Sequence, residues 1–190
     1  HGERGERFAH SVDYFRQLLQ ARPAPIQSTL GRLSDAELLP KPVTGRVPLI
    51  VTGRSQQSMQ WLGTQADGWL TYPESTHDRI GPQRLAEKIR TWRSNIPGGG
   101  FRPHMTNEWI DLADDPNFAR TPLQGGYVLK TGRNGLIDLL GEWREAGVNH
   151  AALGIQMGKR PAADIIQELA QDVLPLFPSR TGPAPYPQHW

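Results

Sequence analysis

The residue types best suited to chemistry cluster in Thr52-Gly53-Arg54-Ser55-Gln56-Gln57-Ser58, between an apolar run at 47–52 and an amphipathic stretch. In a parallel α/β arrangement ligands lie at the carboxyl ends of the strands. A helix beginning there offers free amide hydrogens and a positive dipole end to an anion. Gly53 permits close backbone approach, Ser55 and Ser58 can donate hydroxyls, and Arg54 adds a charged fork. Thr52, Gly53, Arg54, Ser55 and Gln56 are therefore the candidate anion-binding set. The plainer alternative for the same residues is that Ser55 caps the helix and Gly53 makes a turn.

Three further residues are candidates for the same pocket. Tyr72 ends a second apolar run, where its hydroxyl can meet a ligand or its ring can pack on a loop. Arg120 lies in a long loop, 114–133, of the kind that forms lids and binding segments. Arg133, at the start of the next helix, can reach an acidic group or stand in solvent. The six histidines form no pair at metal-binding helical spacing, so no metal is expected; His104 and His150, near strand starts, read as structural. Ser55 lacks the Gly-x-Ser-x-Gly context of a hydrolase nucleophile, and Asp67-Gly68 and Asp114-Asp115 read as turns.

The elements that must position these residues follow from periodicity. Apolar residues Phe8, Val12, Phe15, Leu18 and Leu19 predict a helix over 3–22, stopped by Pro23 and Pro25. Residues 26–47 read as an irregular insertion with short β-like pieces at 27–30 and 37–39. From Val47 a unit repeats: strands at 47–52, 68–72, 105–112 and 149–155 alternate with helices at about 56–66, 82–96, 133–146 and 161–174. Pro82 and Pro161 suit first helical turns, and Gly147 suits a left-handed cap. The tail 179–190, rich in Pro and Gly, reads as extended or disordered, leaving 1–178 as one domain.

Composition narrows the class. The 190 residues are 37% hydrophobic and 21% charged, ordinary for a globular chain. Lys and Arg total 21 against 19 acids with no long basic run, which argues against nucleic acid and fits a small anionic ligand. No apolar run is long enough to cross a bilayer, and a cytoplasmic protein without a membrane partner is expected. With no cysteine, thiolate catalysis and disulfides are absent.

The runs Leu38-Leu39-Pro40-Lys41-Pro42, then 47–55, then Ala66-Asp67-Gly68-Trp69-Leu70 resemble the second half of the bacterial-luciferase-like oxidoreductases. Glu6-Arg7-Phe8, Glu145 to His150 and Arg160-Pro161 fit the same pattern in order and spacing. The resemblance implies the carboxy-terminal half of a TIM-type (β/α)8 barrel, with about four parallel strands and crossover helices. It implies a flavin (FMN)-dependent oxidoreductase or monooxygenase, with the deazaflavin F420 as the alternative cofactor, and assigns the cofactor phosphate to Gly53, Arg54 and Ser55. The first half of such a barrel is not among these residues, so part of the pocket is expected elsewhere. Association with another copy or with that half is expected too. Two other readings stay open: a phosphate-binding barrel enzyme without flavin, and a non-catalytic half-barrel binding protein.

Overall fold

The computed structural model describes residues 3–20, 25–34 and 37–179. The first helix, α1 (Arg4–Leu18), buries Val12 and leads to a hairpin of β1 (Ile26–Ser28) and β2 (Gly31–Leu33), paired antiparallel. The hairpin takes in the first of the expected β-like pieces; Glu37, Leu38 and Leu39 form no strand.

The sheet that follows is built from β3 (Ile50–Thr52), β4 (Gly68–Thr71), β5 (His104–Leu112), β6 (Thr121–Leu123), β7 (Val128–Thr131) and β8 (His150–Gly154). Pairs β3–β4, β4–β5, β5–β8 and β5–β7 are parallel, and only β6–β7 is antiparallel. All four expected strands are present, though β3 is shorter because Pro48 lacks an amide hydrogen for the ladder. The segment 114–133, expected to be a loop, contains the β6–β7 hairpin instead. Pro122 and the glycines at 125 and 126 concealed strands of only three and four residues.

The helices are α2 (Met59–Gln65), α3 (Ile80–Arg93), α4 (Arg133–Ala146) and α5 (Ala162–Glu168). α2 starts later than expected, because Ser58 rather than Ser55 caps it, accepting from the Trp61 amide at 3.0 Å. Asp78 accepts from the Ile80 and Gly81 amides and so starts α3 two residues before Pro82. α4 ends at Gly147, whose φ of +99° provides the left-handed cap. After α5 the chain widens into a π-helical turn, Leu169–Val173, rather than continuing one regular helix to 174. The tail expected from 179 lies, past Ser179, outside the described residues.

The helices cover one face of the curled sheet. Val51 and Trp69 pack with Leu62 of α2 and Trp92 of α3. Leu129 packs with Leu85, Ile89, Leu139 and Trp143 of α3 and α4, and Ile110 and Leu112 meet Leu136 and Ile165. At 20–33 cal/mol per Å2, each such side chain contributes about 1.5–3 kcal/mol when fully buried. This is the strand-and-helix architecture of a half-barrel, with its outer layer in place. No described helix is long and apolar enough to cross a membrane.

Candidate functional site

The register of the sheet assigns every side chain to a face. On the covered face Val51, Trp69 and His104 are neighbours across three strands, and Thr71 lies beside Thr106. On the other face Thr52, Leu70 and Met105 are neighbours, continued by Asn107 beside Ala152, Trp109 beside Gly154, and Asp111 beside Lys130. None of the residues on this second face is buried. It is the concave interior of a barrel wall, and it opens at the carboxyl ends of the strands.

At the carboxyl end of β3 stands the turn singled out by sequence. Gly53, Ser55 and Gln56 have φ of +60°, +48° and +61°. The left-handed region suits glycine but costs a side-chain-bearing residue on the order of 1–3 kcal/mol, so two such residues in sequence mark stored strain. What over-determines it is visible. The Gly53 amide donates to Leu70 O at 2.7 Å, Trp69 Nε1 donates to Gly53 O at 2.6 Å, and the Gln57 amide closes onto Arg54 O at 2.7 Å. The buried Gln57 amide group donates to Gly5 O at 2.7 Å and to Ser55 O at 3.2 Å, tying the turn to α1.

These contacts occupy the carbonyls of Gly53, Arg54 and Ser55 while their own amides are treated differently. Among the described residues the amides of Arg54, Ser55 and Gln56 donate to no protein acceptor. Arg54 is not among the residues of positive φ while Ser55 and Gln56 are, so the backbone changes hand within the turn. A Cβ on Gly53 would meet nothing within 4 Å, so open space adjoins the turn. The helix expected to start at this turn begins only at Met59, so its dipole lies beyond the turn. Ser55 Oγ donates to Thr52 O at 3.3 Å, and Arg54 Nε to Gln57 O at 3.3 Å. Gln57 and Trp69 brace the turn; both stand in runs that the sequence draws attention to, but with no role assigned, and only the packing of α1 and β4 reveals the bracing.

Tyr72 follows β4 directly and is 69% exposed, on the strand neighbouring the turn. Arg120 and Arg133 are placed otherwise. Arg120 forms a two-pronged pair with Glu142 of α4, both distances 2.8 Å, and reaches Thr76 O at 3.3 Å; the pair raises its pKa. Arg133 pairs with Asp172 and lies 3.7 Å from Glu168. Both arginines are thus neutralised by partners far along the chain and lock the β6–β7 insertion and the last helices together, apart from the turn.

Two buried ionisable groups lie on the covered face of β5. His104 is fully enclosed, edge-on to Trp69 at 5.4 Å with Nε2 3.2 Å from Thr71 Oγ1, and burial lowers its pKa to about 4, with a smaller push from Arg93. It is a neutral structural residue, as its place at the strand start implied. Glu108 accepts from Thr76 Oγ1 at 2.7 Å and from the Trp109 amide at 2.8 Å, and burial raises its pKa. Glu108 carries no sequence signal, since a lone Glu in a strand reads as solvent-facing. Its burial follows from the 73–78 loop closing over it.

Comparison with known proteins adds the fold's relatives. No family model matches the chain, and no curated protein matches it in sequence. Among solved structures it is similar to an F420-dependent secondary alcohol dehydrogenase in complex with an F420–acetone adduct. The TM-score is 0.67 at 17% identity, over 92% of this chain and 62% of that one. It is also similar to the coenzyme F420-dependent tetrahydromethanopterin reductase of Methanopyrus kandleri, with TM-score 0.66 at 12% identity, over 90% of this chain and 64% of the reductase. The chain therefore spans less than two thirds of either relative.

Proposed function

We propose that this chain is part of a luciferase-like oxidoreductase that uses the deazaflavin F420, with the turn at Gly53–Gln57 holding the cofactor's phosphate. The observation that carries this reading is the strained turn at the carboxyl end of β3, with three amides left without protein acceptors, in a fold similar to two F420-dependent enzymes. Similarity to those two shifts the cofactor from FMN, the first expectation, to its alternative. The turn alone does not separate the two, because both ligands carry a phosphate group.

Bound F420 supplies hydride chemistry to a small-molecule substrate. The residues here have a different task. Arg54 and the three amides hold a phosphate, Gln57 and Trp69 keep the turn in its left-handed form, and the open face of β4, β5 and β8 forms one wall of the pocket. The same reading gives that face a cover, since parallel sheets are buried on both sides. The remainder of a barrel, or a second copy of the chain, would supply it.

The test is cofactor binding by the polypeptide as its gene encodes it, followed by F420 fluorescence and FMN absorbance. Saturable F420 binding that is weakened by Gly53→Asp is the expected result. Binding of FMN alone would return the protein to the flavin monooxygenase reading. Binding of neither, with Gly53→Asp without effect on inorganic phosphate, would end the cofactor assignment.

A further inference from the structure

Glu108 and the loop at 73–78 form an arrangement that the turn after β3 does not use. The Glu108 carboxyl is enclosed on the helix-covered side of the sheet, with 3% of the residue exposed, and the loop that follows Tyr72 covers it through Thr76, itself 5% exposed. Oε2 accepts from Thr76 Oγ1 at 2.7 Å and Oε1 from the Trp109 amide at 2.8 Å. The loop is seated at several other points. Glu74 pairs with Lys88 of α3, Ser75 Oγ donates to Asp78 at 2.7 Å, and Arg120 reaches Thr76 O at 3.3 Å. The loop backbone rides against the first turn of α3, where a Cβ on Gly81 would lie 1.7 Å from Ser75 O.

The charges around Glu108 have partners of their own. On the loop, Glu74 is held by Lys88, and Asp78 accepts from Ser75 and from the Ile80 and Gly81 amides, with His77 Nε2 3.9 Å away. Arg120 of the insertion is paired with Glu142 of α4, and Asp138 of that helix also acts on it. Among the described residues Glu108 has no cation as partner, and burial is the largest influence on it, raising its pKa. As the uncharged acid it keeps both contacts, because with the proton on Oε2 the bond to Thr76 reverses direction rather than breaking. As the carboxylate it is an enclosed charge met by two donors, and lifting the loop hydrates it. We propose that Glu108 is a pH-sensitive latch beneath the 73–78 loop, keeping the loop seated as the uncharged acid and loosening it as the carboxylate. The loop continues from Tyr72, on the strand beside the turn after β3, so the latch acts on the rim of the proposed pocket. It stands on the packing of the loop and not on the cofactor reading.

The test is an NMR titration of the gene-encoded polypeptide from about pH 4 to about pH 8. The Trp109 amide resonance reports the ionisation of Glu108. Hydrogen exchange of the Ile80 and Gly81 amides, corrected for its intrinsic pH dependence, reports whether the loop is seated. The midpoint should lie above the ordinary 4.5. Loop protection should fall as pH rises through it, about tenfold for each pKa unit between the seated and lifted forms, and then level off. Amides of α4 should keep their protection, which separates lifting of the loop from global unfolding. Glu108→Gln should abolish the pH dependence, and Thr76→Val, which removes a donor that steadies the carboxylate, should move the midpoint higher. A midpoint at or below 4.5, protection independent of pH, or a dependence that survives in Glu108→Gln overturns the latch. So does a dependence that vanishes in His77→Asn, which assigns the titration to the histidine, or one shared by the α4 amides. Should Glu108→Gln not fold, Thr76→Val decides alone, and an unmoved midpoint overturns the proposal.

Discussion

Along β5 two surfaces alternate. His104, Thr106, Glu108, Ile110 and Leu112 are buried beneath helices and the 73–78 loop, while Met105, Asn107, Trp109 and Asp111 are only half-buried. Both sets come from one strand of nine residues, so composition and propensity cannot separate them. The covered set holds the fold together through packing against α3, α4 and α5. The open set has one layer of a structure whose architecture calls for two, and the strained turns at 53–56 and 124–126 both stand at its carboxyl rim. Packing is concentrated on one side of the sheet, and the proposed binding turn stands at the edge of the other.

Substitutions of neighbours on opposite faces should therefore differ sharply. Trp69→Ala removes a fully packed side chain and the bond to Gly53 O, and should cost about 3–5 kcal/mol in urea denaturation. Leu70→Ala, one residue on but facing the open side, should cost about 1 kcal/mol or less. Equal losses would erase the distinction between the faces.

His104 gives the covered face a pH signature. Its folded pKa of about 4 lies below its ordinary 6.5, so both states are neutral above that higher value and no cost arises there. As pH falls from 6.5 toward 4, the unfolded chain takes up the proton and the native chain does not, so stability should drop by about 3 kcal/mol and then level off. Glu108, whose pKa is raised, acts in the opposite sense above the ordinary carboxyl range. The difference between the wild type and His104→Phe isolates the histidine, and identical pH dependence in the two would contradict its buried, neutral state.

Smaller effects probe the insertion and the turn. Arg120→Ala should destabilise by about 2 kcal/mol, and Glu142→Ala should add little once Arg120 is gone, a coupling read by a double-mutant cycle. Gln56→Gly relieves a left-handed side-chain-bearing residue and should raise stability by about 1 kcal/mol in thermal melts. A loss instead would mean that the turn carries no strain.

How much of this was legible in the sequence depends on the range of the interaction involved. The alternation of short apolar runs with amphipathic stretches located the four main strands and the helices, because those patterns are local. Gly147 marked the end of α4 for the same reason. The β6–β7 hairpin escaped because Pro122 and three successive left-handed residues look like loop chemistry, and short strands give little periodicity. Within the site, Thr52 to Gln56 were found as a strand-to-turn junction. Ser58 as the true cap, Gln57 as the brace reaching Gly5, and the capture of Arg120 by Glu142 all depend on contacts between residues far apart or on where a helix starts. The Trp109–Tyr127 stack depends on the absence of a side chain at Gly154, on another strand, and no local pattern announces it.

The proposed role of the turn after β3, anchoring the phosphate of F420, is open to a direct test. The most direct measurement is a fluorescence titration of F420 into the gene-encoded polypeptide, wild type and Gly53→Asp, at constant salt. Saturable binding to the wild type is expected, with a loss of at least about tenfold in the variant, where a carboxylate meets the phosphate and a side chain enters a left-handed position. Equal affinity in the two proteins, or no binding to the wild type, would contradict it.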